Sequence, residues 1–178
     1  GNILKGHGRN HTVHLCVGFT AGPQAIVTWM RDFAKAYVTS ARQQLDDSKL
    51  HKREKNHSRL FGNLFLTAAG YEHLLGLTTA ELERRFGEGD EPCVTFRAGM
   101  EAAAGELNDP PPASWDIGYQ GRRIHAMILL ADNDPQHLQV AKTSILHSLQ
   151  GIADVLTEEY GAVLRNAAGK AIEHFGYV

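Results

Sequence analysis

The 178-residue chain is 43% hydrophobic and 21% charged, values that fit a soluble globular chain of one domain, here taken as residues 1–178 with a sizeable insertion. A formal net charge of -2 excludes a strong field toward nucleic acid or anionic lipid, so neither is expected as a partner. Cys16 and Cys93 lie far apart without C-x-x-C spacing, which argues against a disulfide framework and for a reducing compartment.

No apolar run is long enough to cross a bilayer, and no charged segment followed by an apolar one marks a signal peptide. The expected location is therefore cytoplasmic. The chain begins with Gly1, so a missing natural N-terminus is also expected.

Residues 1–9 carry Gly1, Gly6 and Gly8 and read as a loop or arm laid over a surface. From His11 to Phe19, Val13, Leu15, Val17 and Phe19 alternate on one face, predicting a strand with one well-buried side. Gly22-Pro23 opens a helix. Its apolar stripe of Ile26, Met30, Phe33, Tyr37 and Ala41 carries it to about Leu45. The basic stretch Lys49–Arg59 lacks interleaved aromatics and is diluted by Asp46, Asp47 and Glu54, so it reads as a solvated loop.

Leu60–Thr67 is apolar on both faces and reads as an interior strand. Short helices are predicted near Ala68–Leu75 and Thr78–Phe86, the second with Thr78 and Glu81 at capping-box spacing. A further short helix fits Gly99–Leu107, before the extended Asn108-Asp109-Pro110-Pro111-Pro112 segment. Arg123–Leu130 is a second strand buried on both sides. Asp134 as N-cap and Pro135 in the first turn start a helix. Leu138, Ala141, Ile145, Leu149, Ile152 and Leu156 extend it to about Tyr160. Ala162–Arg165 and Ala171–Phe175 then form the last strand or hairpin.

Strand, long helix, strand, insertion (about 68–122), strand, long helix, strand is the order of a ferredoxin-like α+β domain. It predicts a four-stranded antiparallel sheet with two long helices on one face. The strands' second apolar side implies cover for the other face as well, from a second such unit, a partner chain or a ligand.

Local chemistry is sparse. His11 and His14 are three apart, which on a strand places them on opposite faces and argues against metal ligation by His7, His11 and His14. His125 reads as a hydrogen-bonded, half-buried histidine before a catalytic base, and His137 as solvated. Gly6-His7-Gly8 belongs to no phosphate-binding motif, and neither a nucleophile elbow nor a zinc helix occurs.

Three phrases nevertheless occur in order: Gly1-Asn2-Ile3-Leu4-Lys5-Gly6-His7-Gly8-Arg9; Leu107-Asn108-Asp109-Pro110-Pro111-Pro112 with Trp115 and Ile124–Asp132; and Glu173-His174-Phe175-Gly176-Tyr177-Val178. Together they resemble the DyP-type (dye-decolourising) haem peroxidases, and the resemblance spans the whole chain. It implies the N-terminal half of a protein built from two ferredoxin-like halves, a dimeric α+β barrel with haem b held by the second half. It also implies hydrogen peroxide and an organic reductant as substrates.

The family's Gly-x-x-Asp-Gly motif carries an aspartate credited with moving protons during peroxide cleavage. Gly176, Tyr177 and Val178 match its first three positions and are the candidate haem-proximal residues. The aspartate would follow Val178, and the family's histidine ligand and distal arginine fall in the missing C-terminal half-domain. The chain alone is accordingly expected to be inactive, to hold no haem and to contain no catalytic or metal-binding residue. Two other readings remain: a non-catalytic binding or assembly module that forms a homodimer through its sheet, and the small α+β-barrel monooxygenase architecture, which no histidine pattern favours.

Overall fold

A computed structural model describes residues 6–54, 59–86, 91–121 and 123–172. Its elements are strands β1 (His11–Phe19), β2 (Phe61–Leu66), β3 (Ala126–Asp132), β4 (Ala153–Ala162), β5 (Leu164–Arg165) and β6 (Ala171–Ile172). The helices are α1 (Pro23–Tyr37), α2 (Ala41–Arg53), α3 (Ala68–Leu75), α4 (Thr79–Phe86), α5 (Glu91–Ala98), α6 (Met100–Ala103) and α7 (Pro135–Ser148). Two 3-10 turns, Pro112–Ser114 and Ile117–Tyr119, precede β3.

The main sheet is antiparallel with the order β2-β3-β1-β4, the ferredoxin-like arrangement expected from the element sequence. The alternation along β1 sends Val13, Leu15, Val17 and Phe19 toward α1 and α7. There they join Ile26, Trp29, Phe33, Ile128, Leu130, Leu138 and Ile145 in one core. The second face of the sheet carries a smaller apolar cluster of Phe61, Leu129 and Ala131, with Phe65 packed on it. The insertion lies between β2 and β3, where the sequence places it.

Three expectations need correction. The first long helix stops at Tyr37, and the start of the stretch read as a solvated loop, Lys49–Arg53, is helical, because a second helix, α2, runs to Arg53. Thr39 is the cause. Its N–H donates to the Gly62 carbonyl at 2.9 Å, and its hydroxyl receives the Gly62 N–H at 3.3 Å. The chain is thus pinned to β2 before Ser40, whose hydroxyl accepts from Gln43 N–H, caps a new helix. Gly62 is needed here, since a Cβ on it would lie 2.3 Å from the Tyr37 carbonyl oxygen.

The second long helix stops at Ser148 rather than Tyr160, and the fourth strand is Ala153–Ala162 rather than the terminal segment. Gly151 takes φ 71°, a left-handed conformation that reverses the chain after Leu149. Ile152 and Leu156 continue a spacing of three and four by coincidence. β5 and β6 form a separate two-stranded hairpin. Finally, β2 is an edge strand of the sheet and not an interior one. Its double-sided apolarity arises because Leu64 and Leu66 face the main core while Phe61 and Phe65 lie on the second face.

Candidate functional site

The second face of the sheet is where polar, titratable and apolar side chains meet. Strand parity assigns it Thr12, His14 and Cys16 from β1, Phe61, Asn63 and Phe65 from β2, and Met127, Leu129 and Ala131 from β3. β4 adds Thr157 and Glu159, opposite Cys16 and His14. A bulge between the Cys16 and Val17 pairings gives β4 one extra residue, Leu156. Leu156 sits against Gly18, whose Cβ would meet its side chain at 3.4 Å.

Cover over this face is partial. The His7 ring lies 5.5 Å from that of Phe61, held by the Arg9 N–H donating to its Nδ1 at 3.0 Å. At the other side the Ile117–Tyr119 turn presses on β4, with a Cβ on Gly118 falling 2.7 Å from Thr157 Cβ. Tyr119 donates its hydroxyl to Glu159 Oε1 at 2.8 Å. Between these two covers, His14, Asn63, Phe65 and Met127 remain half-buried.

Electrostatics follow from that geometry. Burial holds the His14 imidazole below its ordinary pKa, with Glu159 acting in the opposite direction. His7 is lowered by burial, then by Arg9 and His14. Burial, followed by the hydrogen bond to Glu159, pushes the Tyr119 phenol up to about 12. The Cys16 thiol is raised, first by burial and then by Glu159, which leaves it a packed, unreactive side chain. At neutral pH the face thus presents neutral imidazoles and a protonated phenol around the Glu159 carboxylate.

Gly176, Tyr177 and Val178 lie outside the described residues, as do 173–175; the description ends at Ile172 in β6. His11 and His14 fall on opposite sides of β1, and among the described residues no group of three His, Cys, Asp or Glu can hold a metal ion. His125 Nδ1 accepts the Phe19 N–H at 2.9 Å, and its ring stacks on His73 at 4.8 Å, the hydrogen-bonded role expected of it. His137, read as solvated, is half-exposed but bound through Nδ1 to the buried Asp132 carboxylate at 2.8 Å. The sequence reading missed Tyr119 and Glu159. Their only sequence signal is an aromatic after the proline run and a strand parity that the misplaced helix concealed.

A haem requires an axial donor aimed into an apolar slot. On the second face Cys16 is buried and Tyr119 is bonded to Glu159, while the cavity of about 620 Å³ beside it, between α3, α5 and the 3-10 turns, has no histidine in its lining.

No protein-family model matches the chain. A curated relative, the multifunctional dye peroxidase DyP2 of Amycolatopsis sp., is 33% identical over 177 residues, which is 99% of this chain and 35% of that protein. Among solved structures, the DyP-type peroxidase of Anabaena sp. matches with TM-score 0.84 and 39% identity, covering 98% of this chain and 36% of that one. DyP2 from Amycolatopsis sp. matches with TM-score 0.82 and 32% identity, covering 99% of this chain and 35% of that one. A decolourising peroxidase from Auricularia auricula-judae, at 18% identity and TM-score 0.72, shares the fold. This chain therefore spans about a third of the length of the relatives it matches, and over that third it is similar in sequence and fold to the N-terminal part of DyP-type peroxidases.

Proposed function

We propose that this chain is the N-terminal ferredoxin-like half of a haem-dependent peroxidase that uses hydrogen peroxide to oxidise organic substrates such as dyes. One observation carries the reading: 32–39% identity to peroxidases of this type across almost the whole chain, in a matching fold. The half-covered second sheet face supports it, since a second ferredoxin-like half would complete that cover and form a dimeric α+β barrel. In this reading haem b is held by the other half, the insertion at about 68–122 belongs to the N-terminal domain, and the protein works in the cytoplasm. Residues 176–178 begin the Gly-x-x-Asp-Gly motif, whose aspartate follows Val178.

The chain's own contribution is positional: β1 and β4 present His14 and Glu159 toward the other half. The 178 residues alone, mixed with haemin and peroxide, are expected to give no dye bleaching above free haemin. Turnover well above that background would contradict the assignment of proton transfer and haem ligation to residues outside the chain.

The half-exposed Phe65 and Met127 also favour a second reading, a non-catalytic module that dimerises through its sheet. Sedimentation separates the two. A well-defined symmetric dimer with no peroxidase turnover in the native gene product would favour assembly over catalysis.

A further inference from the structure

The cavity of about 620 Å³ has the size of a small-molecule site, which ranges over roughly 300–1,000 Å³. Its walls come from the start of α3, the α5–α6 junction, the two 3-10 turns and Ile124. Three aromatic side chains, Phe96, Trp115 and Tyr119, line it, together with Met100. The polar ends of two of them are tied elsewhere. Trp115 donates Nε1–H to the Pro110 carbonyl at 2.9 Å, and Tyr119 donates to Glu159. What these two rings offer a ligand is therefore apolar surface on a fixed frame. Phe96 and Met100 are 42% and 64% exposed, and Phe96 packs edge-on against Tyr71.

The charges in the lining are unbalanced. Arg97 is buried, and its guanidinium is paired with Glu83 at 2.9 Å. Glu101 and Asp116 also line the cavity, and among the described residues neither carboxylate takes a hydrogen bond or an ion pair. An aromatic cation would bring them a counter-charge or N–H donors, whereas an aromatic anion would meet two negative groups. Aromatic faces beside carboxylates are also the surroundings that favour a cationic head group.

We propose that this cavity binds a compact aromatic molecule bearing a cationic or N–H-donating group, the class of the aromatic and arylalkyl amines, and rejects sulfonated or carboxylated aromatics. The site is built by this chain's residues alone, so the inference stands whether or not the peroxidase reading holds.

The test uses the 178-residue chain and three probes of one shape: naphthylmethylamine, neutral naphthylmethanol and naphthalenesulfonate. Binding is followed by calorimetry and by quenching of Trp115 emission. The amine is expected to bind about tenfold more tightly than the sulfonate, as the half-buried Glu101 and the exposed Asp116 would together provide. Glu101→Gln combined with Asp116→Asn brings amine and sulfonate to within about twofold and leaves naphthylmethanol unchanged. Because both carboxylates lack partners, this pair of substitutions leaves the fold intact. Trp115→Ala weakens all three probes. Equal binding of amine and sulfonate, absence of binding up to millimolar amine, or probe affinities that ignore Trp115→Ala would each overturn the proposal.

Discussion

Gly70→Ala places a methyl group where α3 meets the backbone entering β3, and its sign separates two accounts of that glycine. An unpacked helix glycine gains about 1 kcal/mol on conversion to alanine. Here the new Cβ would fall 2.0 Å from the His125 carbonyl oxygen and 2.9 Å from its carbon. Ordinary contact begins near 3.4 Å, so helix or strand must move by more than an ångström. The same oxygen accepts the Thr67 N–H at 3.1 Å and the Thr67 hydroxyl at 3.3 Å. Displacing it strains the hydrogen bonds that fix the entry to α3. Overpacking against backbone costs about 3 kcal/mol, which outweighs the propensity gain and leaves a net loss of about 2 kcal/mol. For a chain of this size that lowers Tm by about 4–8 °C. Gly105→Ala is the control, since nothing lies within 4 Å of its added Cβ. Thermal and urea unfolding of both variants decide the matter. A Gly70→Ala protein as stable as the wild type, or more stable, would refute the packing argument.

Two further outcomes follow from the titrating groups. His125, His14 and His7 all have folded-state pKa values below the usual 6.5, so the unfolded chain binds protons first, and stability falls as pH drops below about 6.5. His125→Asn keeps an acceptor for the Phe19 N–H and removes one proton-binding site, so a Tm series from pH 7.5 to 5.5 should decline less steeply than in the wild type; an unchanged slope would exclude His125 as a contributor. Lys142, buried on α7, donates to Glu158 Oε2 at 2.8 Å and also to the Tyr160 hydroxyl. Those hydrogen bonds raise its pKa, and the Lys142 bond is the largest cause lowering that of Glu158. Lys142→Met should cost about 1 kcal/mol, the half-exposed Glu158 keeping the figure near that of a surface pair. The cost is fully present between the ordinary values of 4.5 and 10.5 and fades outside them, as Glu158 gains its proton at low pH or Lys142 loses its own at high pH. Denaturant titrations at pH 3 and pH 7 showing equal differences would contradict the pairing.

The sheet was legible where one physical signal acted alone. The period of two along Val13, Leu15, Val17 and Phe19 marks β1, and Asp134-Pro135 marks the start of α7, where the Asp134 carboxylate accepts from the Gln136 and His137 N–H groups. Among the insertion helices α4 was readable from its cap, since Thr78 exchanges hydrogen bonds with Glu81, whereas α5 at Glu91–Ala98 was not read and the helix expected over Gly99–Leu107 is only Met100–Ala103. What failed was helix length, in both long helices, because a stripe at spacings of three and four continues past the point where backbone or tertiary contacts end the helix. At Thr39 the deciding contact is with Gly62, distant in sequence; at Gly151 it is the left-handed turn, which the stripe through Ile152 concealed.

The site was legible only through family resemblance, and its candidate residues, Gly176, Tyr177 and Val178, lie outside the described residues. The pairing of Tyr119 with Glu159 spans 40 residues of sequence, and the cavity lined by Phe96 and Trp115 gathers residues from Thr67 to Ile124, which no local motif encodes. Tertiary structure alone brings those groups together.

The most direct test of the proposed function is the reaction of the full native gene product with haem and hydrogen peroxide. The account predicts a haem-loaded protein that bleaches an anthraquinone dye in a peroxide-dependent reaction, and that loses this turnover when the aspartate expected directly after Val178 is changed to asparagine. A haem-loaded native protein without peroxide-dependent turnover, or one indifferent to that substitution, would contradict it.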